Sequence, residues 1–509
     1  MRIEEADYFR FDTTLMNRAL RLPAFLCVFF FIATTSIRAD QPPNIVFLLA
    51  DDMGYGDLAC YGNPVIQSPH LDQLARDGLR LLDCYAASPN CSPARTAILT
   101  GRSPYRVGMY DFARFRPMHI PERELTLGEV MRNAGYQTQF AGKWHCSGDS
   151  KLAGGTQPNP GDHGFDHWLA HPKNFGKDPS GFFRNGEALD QLEGWMSEIV
   201  VNDAIEFIGK RDPQKPFLSV LWFSEPHTPV EAAREFIEPY ETEEAIEAAK
   251  GIKSGGPQVK WGSKEGKGPT YFGCVSMLDH HIGRLLTFLD EQGLRDNTIV
   301  IFTSDNGPEH RPASSFGSPG ALRGAKGHMH EGGYKVPGII RWPGHIEAGT
   351  TSREPVNGTD FLPSLAAITG AEFQPEKTVD GINVFPALVE GKKLDRPIPM
   401  IWWLFHARGG KEVTMRAGDY KILANMLPQK KITVNDAAPP DGVSIMDFIK
   451  EAELGNFTIY NLEKDPNETR ELSQEEPEKL EELKKQMIQL HSEIRAEGRI
   501  YQLGGGKKR

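Results

Sequence analysis

Apolar residues gather in short runs, separated by segments where they recur at helical spacing. Asn44–Ala50 (NIVFLLA), Tyr136–Ala141, Pro216–Phe223 and Thr298–Thr303 are short, apolar and β-rich, and they read as buried strands. Helical spacing marks 68–79, 125–133 and 271–292; in the last, Val275, Leu278, Ile282, Leu285 and Leu289 share a face. This alternation predicts a large α/β domain: a mostly parallel mixed sheet flanked by helices.

Polar residues follow each run closely: Asp51 and Asp52, Lys143 and His145, His227, Asp305 and Asn306. All fall just past the C-terminal ends of strands, the edge where open α/β sheets bind ligands. Gly/Pro/Asn-rich stretches at 147–186 and 251–269 read as long surface loops. The pattern changes after Leu388–Gly391. Runs at 401–416 and 419–423 predict strands of a smaller antiparallel sheet. The tail 478–494 predicts a helix with Leu480, Leu483, Met487, Leu490 and Ile494 on one stripe, packed on its own domain rather than in a coiled coil. The expected layout is a segment 1–39 ahead of a catalytic domain 40–393, then a smaller C-terminal α+β domain 394–509 with the terminal helix.

The first segment reads as an export signal. Leu22–Ser36 is apolar but short for a membrane span, Arg18 and Arg21 precede it, and Ala39 offers a cleavage point. The residues before Met16 are acidic, which points to Met16 as the translation start. The expectation is a periplasmic or secreted protein handled by the secretion machinery, with an uncleaved anchor as the alternative. The net charge of −11 excludes nucleic acid as a partner. Loss of the segment removes Cys27 and leaves Cys60, Cys84, Cys91, Cys146 and Cys274, an odd count with no C-x-x-C pair. At least one cysteine therefore stays unpaired or is chemically changed.

Cys91 stands out among them. Ser92 suits an N-cap, Pro93 the first helical position and Gly101 a helix end, so Cys91 is expected just outside a helix N-terminus. Anions are favoured there, and Arg95 lies one turn in. The position six after Cys91 is Ala97, so this is not a Cys-x5-Arg phosphatase loop. Asp51, Asp52, Asp305 and Asn306 supply hard oxygens without accompanying cysteine or histidine pairs, a set suited to Ca²⁺ or Mg²⁺ rather than zinc. Lys143, His145, His227 and Lys326 add cationic and hydrogen-bonding groups for a small oxyanion, with histidine available for proton transfer.

Cys91-Ser92-Pro93-Ala94-Arg95, running to Leu99-Thr100-Gly101-Arg102, resembles the C-x-P-x-R…T-G-R signature of formylglycine-dependent type I sulfatases of the alkaline phosphatase superfamily. LADDMGYGD (49–57), GKWH (142–145), PHTP (226–229), TSDNG (303–307) and LRGAKGHMHEGG (322–333) match that family in order. HGFD (163–166) and the late YNLEKDP (460–466) are further likenesses, and the resemblance spans about 43–475. Its style is similar to arylsulfatase A and N-acetylgalactosamine-6-sulfatase relatives. One departure is Ala94, where many members have Ser.

The resemblance implies that a maturation enzyme oxidises Cys91 to Cα-formylglycine. Asp51, Asp52, Asp305, Asn306 and the modified residue 91 would bind one divalent cation, Ca²⁺ ahead of Mg²⁺. Arg95 would steady the hydrated aldehyde, with His145 hydrogen-bonded to it, and Lys143, His227 and Lys326 would hold the sulfate. A hydrated aldehyde has one hydroxyl to attack sulfur and a second that, on losing its proton, expels the transferred sulfate as the aldehyde re-forms. His227 or Lys326 would protonate the leaving alcohol, and His145 would serve as the base for sulfate release. The expected activity is hydrolysis of sulfate monoesters on a small molecule or a sulfated carbohydrate. His310, Arg311, Arg323, His328, His330, Trp402, Trp403, His406 and Arg408 are candidates for lining a sugar subsite. Two competing readings are a phosphomonoester, phosphodiester or phosphonate hydrolase of the same superfamily, and a non-catalytic exported glycan-binding relative.

Overall fold

The four apolar runs are neighbours in one sheet. A computed structural model describes residues 42–112, 118–147, 156–252, 268–309, 316–405, 411–428, 432–433 and 443–501. Residues 1–39, expected to be an export signal, lie outside them, and no described helix is long and apolar enough to cross a membrane. Strand Asn44–Asp51 pairs in parallel with Thr298–Ser304 on one side and Phe217–Pro226 on the other. Gln137–Lys143 continues the parallel set, followed by His167–His171. Beyond Thr298–Ser304 the sheet turns antiparallel at Gly338–Arg341, and short edge strands complete ten described strands. This is the mostly parallel mixed sheet the alternation predicted.

Both faces are buried, which is why the central strands are apolar runs rather than alternations. Phe47, Leu49, Phe140, Val220, Trp222 and Ile301 lie in one core with Ala94, Ile98 and Leu99 of helix Cys91–Thr100. Val46, Leu48, Leu221 and Val300 lie in the other core, with Val200 of helix Met196–Lys210 and Leu278 and Leu285 of helix Gly268–Glu291. Segment 147–186 corrects the loop expectation in part. Its WLA core, Trp168–Ala170, is buried and pairs with Phe140–Gly142, while flanking histidines break the apolar signal.

A four-stranded antiparallel sheet follows: Met400–Leu404, Glu412–Ala417, Tyr420–Leu427 and Glu453–Asn461. Helix Pro477–Glu497 buries Leu483, Met487, Leu490 and Ile494, so its stripe is an intramolecular contact. Its last residue, Glu497, accepts from Arg102 and, at 2.8 Å, from Arg106, just after the Cys91 helix. Arg102 also donates to Glu124, and Arg106 to Asp380. The arginine of the T-G-R motif thus serves this buried ion-pair network.

Candidate active site

Parallel pairing brings the polar residues after the strands to one edge. The register slips between Leu49 and Asp51, and Asp52 takes a left-handed φ of 65°. That conformation is costly for a residue with a Cβ. It is held by Asp52 N–H donating to Asp305 Oδ1 (3.2 Å) and Met53 N–H to Ser304 Oγ (3.0 Å). His145 is the second left-handed residue here, at φ 52°. Gly307 packs so closely that a Cβ would lie 2.0 Å from Gly332 O, which joins TSDNG to the loop bearing Lys326.

Helix Cys91–Thr100 starts two residues earlier than expected. Asn90 occupies the N-cap position, and Pro93 sits in the first turn, where its missing N–H costs nothing. Gly101 ends the helix at φ 68°, donating to Ala97 O. All ten helical residues are buried, and Cys91 is 1% exposed. Its Sγ lies 3.6 Å from Asp51 Oδ1 and 3.4 Å from Lys326 Nζ. Burial, then the charge of Asp305, pushes the thiol far above its ordinary range, which makes it a poor thiolate nucleophile.

Asp51, Asp52, Cys91 and Asp305 offer ligand atoms all within 4.8 Å of one another. Asn306 adds an amide whose Nδ2 donates to Asp52 Oδ1 (2.7 Å) while its buried Oδ1 has no partner. An orphaned acceptor beside three buried carboxylates fits a hard cation.

Three cations face these acids. Lys143 Nζ donates to Asp51, Lys326 Nζ to both oxygens of Asp52 (2.6 and 2.8 Å), and Arg95 to Asp305 Oδ2 (2.7 and 2.9 Å). Burial alone would raise the Asp51 carboxyl, but Lys143, His227 and Arg95 outweigh it and hold it well below the carboxylate range. Asp305 goes the other way, up to about 6, because burial and the Asp51 charge exceed the pull of Arg95. The attraction of Asp52 overcomes burial at Lys326, which keeps its proton firmly. The group is charge-balanced, so a divalent cation brings positive charge that an anion at the lysines would offset.

Arg95 also donates to Lys143 O (3.0 Å) and lies over the Trp222 ring at 5.0 Å. Its contacts therefore orient a carboxylate. His145 has a buried Nδ1 with no partner, and burial followed by Lys143 and Arg95 keeps it neutral, well below its ordinary pKa. His227 lies within 2.6 Å of Thr228 O through Nδ1, leaving Nε2 3.6 Å from Asp52 Oδ2. Burial lowers its pKa and Asp52 partly restores it.

Asn174 escaped the sequence reading. Its Nδ2 donates to Asp51 Oδ2 at 2.8 Å. It follows strand His167–His171 on the same edge, and recognising that strand would have found it. Phe112 stacks on His145 at 6.3 Å. Trp402 and Trp403 do not line a subsite. Both are buried; Trp402 stacks on Tyr334 and donates to Ala86 O, and Trp403 stacks on Tyr105. Of the other subsite candidates, Arg323, His328 and His330 lie on the Lys326 loop, while His310, Arg311, His406 and Arg408 fall outside the described residues.

The sulfatase family model matches residues 43–371. N-acetylgalactosamine-6-sulfatase of Sus scrofa is 31% identical over 491 residues, covering 89% of this chain and 87% of its own. Arylsulfatase A of Homo sapiens is 33% identical over 446 residues, 85% of this chain and 83% of its own. The crystal structure of Ps i-CgsB in complex with k-i-k-neocarrahexaose superposes with a TM-score of 0.72 at 24% identity, covering 90% of this chain and 94% of that one.

Proposed function

The chain belongs to the sulfatase family and is a sulfatase, and we propose that it removes sulfate from carbohydrate monoesters through Ca²⁺ and a formylglycine made from Cys91. The grouping of Asp51, Asp52, Cys91 and Asp305, with the unmatched Asn306 Oδ1 and three facing cations, carries this reading. A sugar substrate is supported by the relative named for N-acetylgalactosamine 6-sulfate.

In this reading Asp51, Asp52, Asp305, Asn306 and residue 91 hold the cation. When present, the cation draws off negative charge and the hydrated aldehyde supplies the attacking hydroxyl and the route for sulfate release. The chain does the rest. Arg95 fixes the Asp305 carboxylate, and Asn174 and Lys143 fix Asp51. Lys143, Lys326 and His227 present N–H donors to the sulfate oxygens and stabilise charge as the S–O bond breaks. His227, anchored through Nδ1, delivers a proton from Nε2 to the leaving oxygen, a role for which Lys326 is too firmly protonated. His145, neutral and unpartnered at Nδ1, is the base for sulfate release.

Residues 1–39 act as the export signal in the same reading, 40–393 as the catalytic domain and 394–509 as the smaller domain. The partners are the secretion machinery, a formylglycine-generating enzyme that accepts Ala94, and the sulfated substrate.

Two measurements on one preparation test this. Mass spectrometry of the peptide containing residue 91 should find an aldehyde or its hydrate, and an aryl sulfate should turn over faster than its aryl phosphate with calcium present. Intact cysteine in active enzyme overturns the formylglycine, and a dominant phosphatase rate overturns the sulfate ester.

A further inference from the structure

The late motif YNLEKDP and the Glu468 that follows it lie outside the ligand cluster, yet Glu468 is completely buried and left-handed at φ 54°. A buried carboxylate in a conformation disfavoured for its residue type needs compensating contacts. They lead to the segment that carries Lys326.

Glu468 grips that segment on both sides of Lys326. Its backbone carbonyl accepts from Arg323 Nη1 at 3.2 Å. Its Oε2 accepts from the Glu331 backbone N–H at 2.7 Å, and Oε1 lies 3.4 Å from His330 Nδ1. The buried Lys421 of the small sheet donates to Glu468 Oε1 at 2.6 Å and reaches Glu331 Oε1 at 3.2 Å. Glu331 Oε2 accepts from Tyr85 O–H at 2.7 Å. The segment also closes on itself, with Gly332 N–H donating to Arg323 O at 2.7 Å, and Lys326 N–H donates to Pro308 O at 3.0 Å.

We infer that Glu468 is a positioning residue: by holding Arg323, His330 and Glu331 it sets Lys326 against Asp52 and residue 91, so the small antiparallel sheet takes part in anion binding. This rests on the reading of Lys326 as a sulfate-binding group. A plain inter-sheet ion pair would stabilise the fold without favouring any one lysine. The grip on both ends of the nine-residue span Arg323–Glu331 around Lys326 predicts a local effect.

The test compares wild-type protein with Glu468→Ala and with Glu468→Gln, which keeps the side-chain shape should the alanine variant not fold. Acetylation by acetic anhydride, read by mass spectrometry, should rise about fivefold or more at Lys326 while the equally buried Lys143 stays protected, as expected for local opening. With an aryl sulfate as substrate, inhibition by inorganic sulfate should weaken about tenfold, the scale of one lost charge-assisted contact. Unchanged Lys326 labelling overturns the inference, as does labelling of Lys326 and Lys143 rising together. If wild-type protein fails to hydrolyse the aryl sulfate, the proposed function fails, while the labelling still decides the positioning role.

Discussion

Lys326 Nζ bridges Asp52 and Cys91, lying 2.6 Å from the carboxylate and 3.4 Å from the sulfur. One ammonium thus touches a candidate cation ligand and the residue expected to become the nucleophile. Lys326→Ala should lower kcat by about 10²–10³, as loss of a preorganised charge donor does, with a smaller rise in KM. Steady-state kinetics with an aryl sulfate checks the split; a change confined to KM would place Lys326 in ground-state binding only.

Cys91→Ala should remove turnover by at least about 10³-fold, because the contacts that remain bind substrate without supplying a nucleophile. The melting temperature should barely move, since the change empties little volume. Single-turnover assays and calorimetry on the same sample separate the two.

Removing divalent cations with a chelator should lower the melting temperature, and Ca²⁺ should restore it better than Zn²⁺. A ligand at about a hundred times its Kd adds roughly 2.7 kcal/mol to the folded state. Differential scanning fluorimetry across a calcium titration measures it.

Glu225, two residues before His227, is fully buried, and burial raises its carboxyl to about 7 although Ser197 N–H donates to it. The folded-state pKa lies above the unfolded one, so the folded chain binds more protons between them. Its contribution is therefore greatest at acid pH and is lost as pH rises through about 7. The full effect is on the order of 3 kcal/mol. Glu225→Gln should flatten the fall in melting temperature between about pH 5 and 8.

Trp402→Ala should cost about 3–5 kcal/mol of stability, the range for a large buried aromatic. KM for a sulfated sugar should change little, because the indole packs on Tyr334 away from solvent. Chemical denaturation together with kinetics distinguishes this from a subsite role.

The parallel core was legible because strands buried on both faces leave unbroken apolar runs, and because Asp51, Lys143, His227 and Asp305 follow those runs directly. Asn174 was hidden by the strand before it, where His167 and His171 flank an apolar core of three residues. Trp402 and Trp403 were ambiguous for another reason. Their burial depends on Tyr334 and Tyr105, supplied by distant parts of the chain. The helix start was displaced because Ser92 and Pro93 are as acceptable inside a first turn as at its boundary. Charge pairing was invisible altogether: nothing local to Arg95 says that it faces Asp305.

The Cys91 helix is enclosed along its whole length, and the chain just beyond it, at Arg102 and Arg106, is tied to Glu497 at the end of the last helix. A ribosome makes that glutamate some four hundred residues after Cys91. An enzyme that must touch Cys91 would therefore have to reach it before the fold closes over this helix.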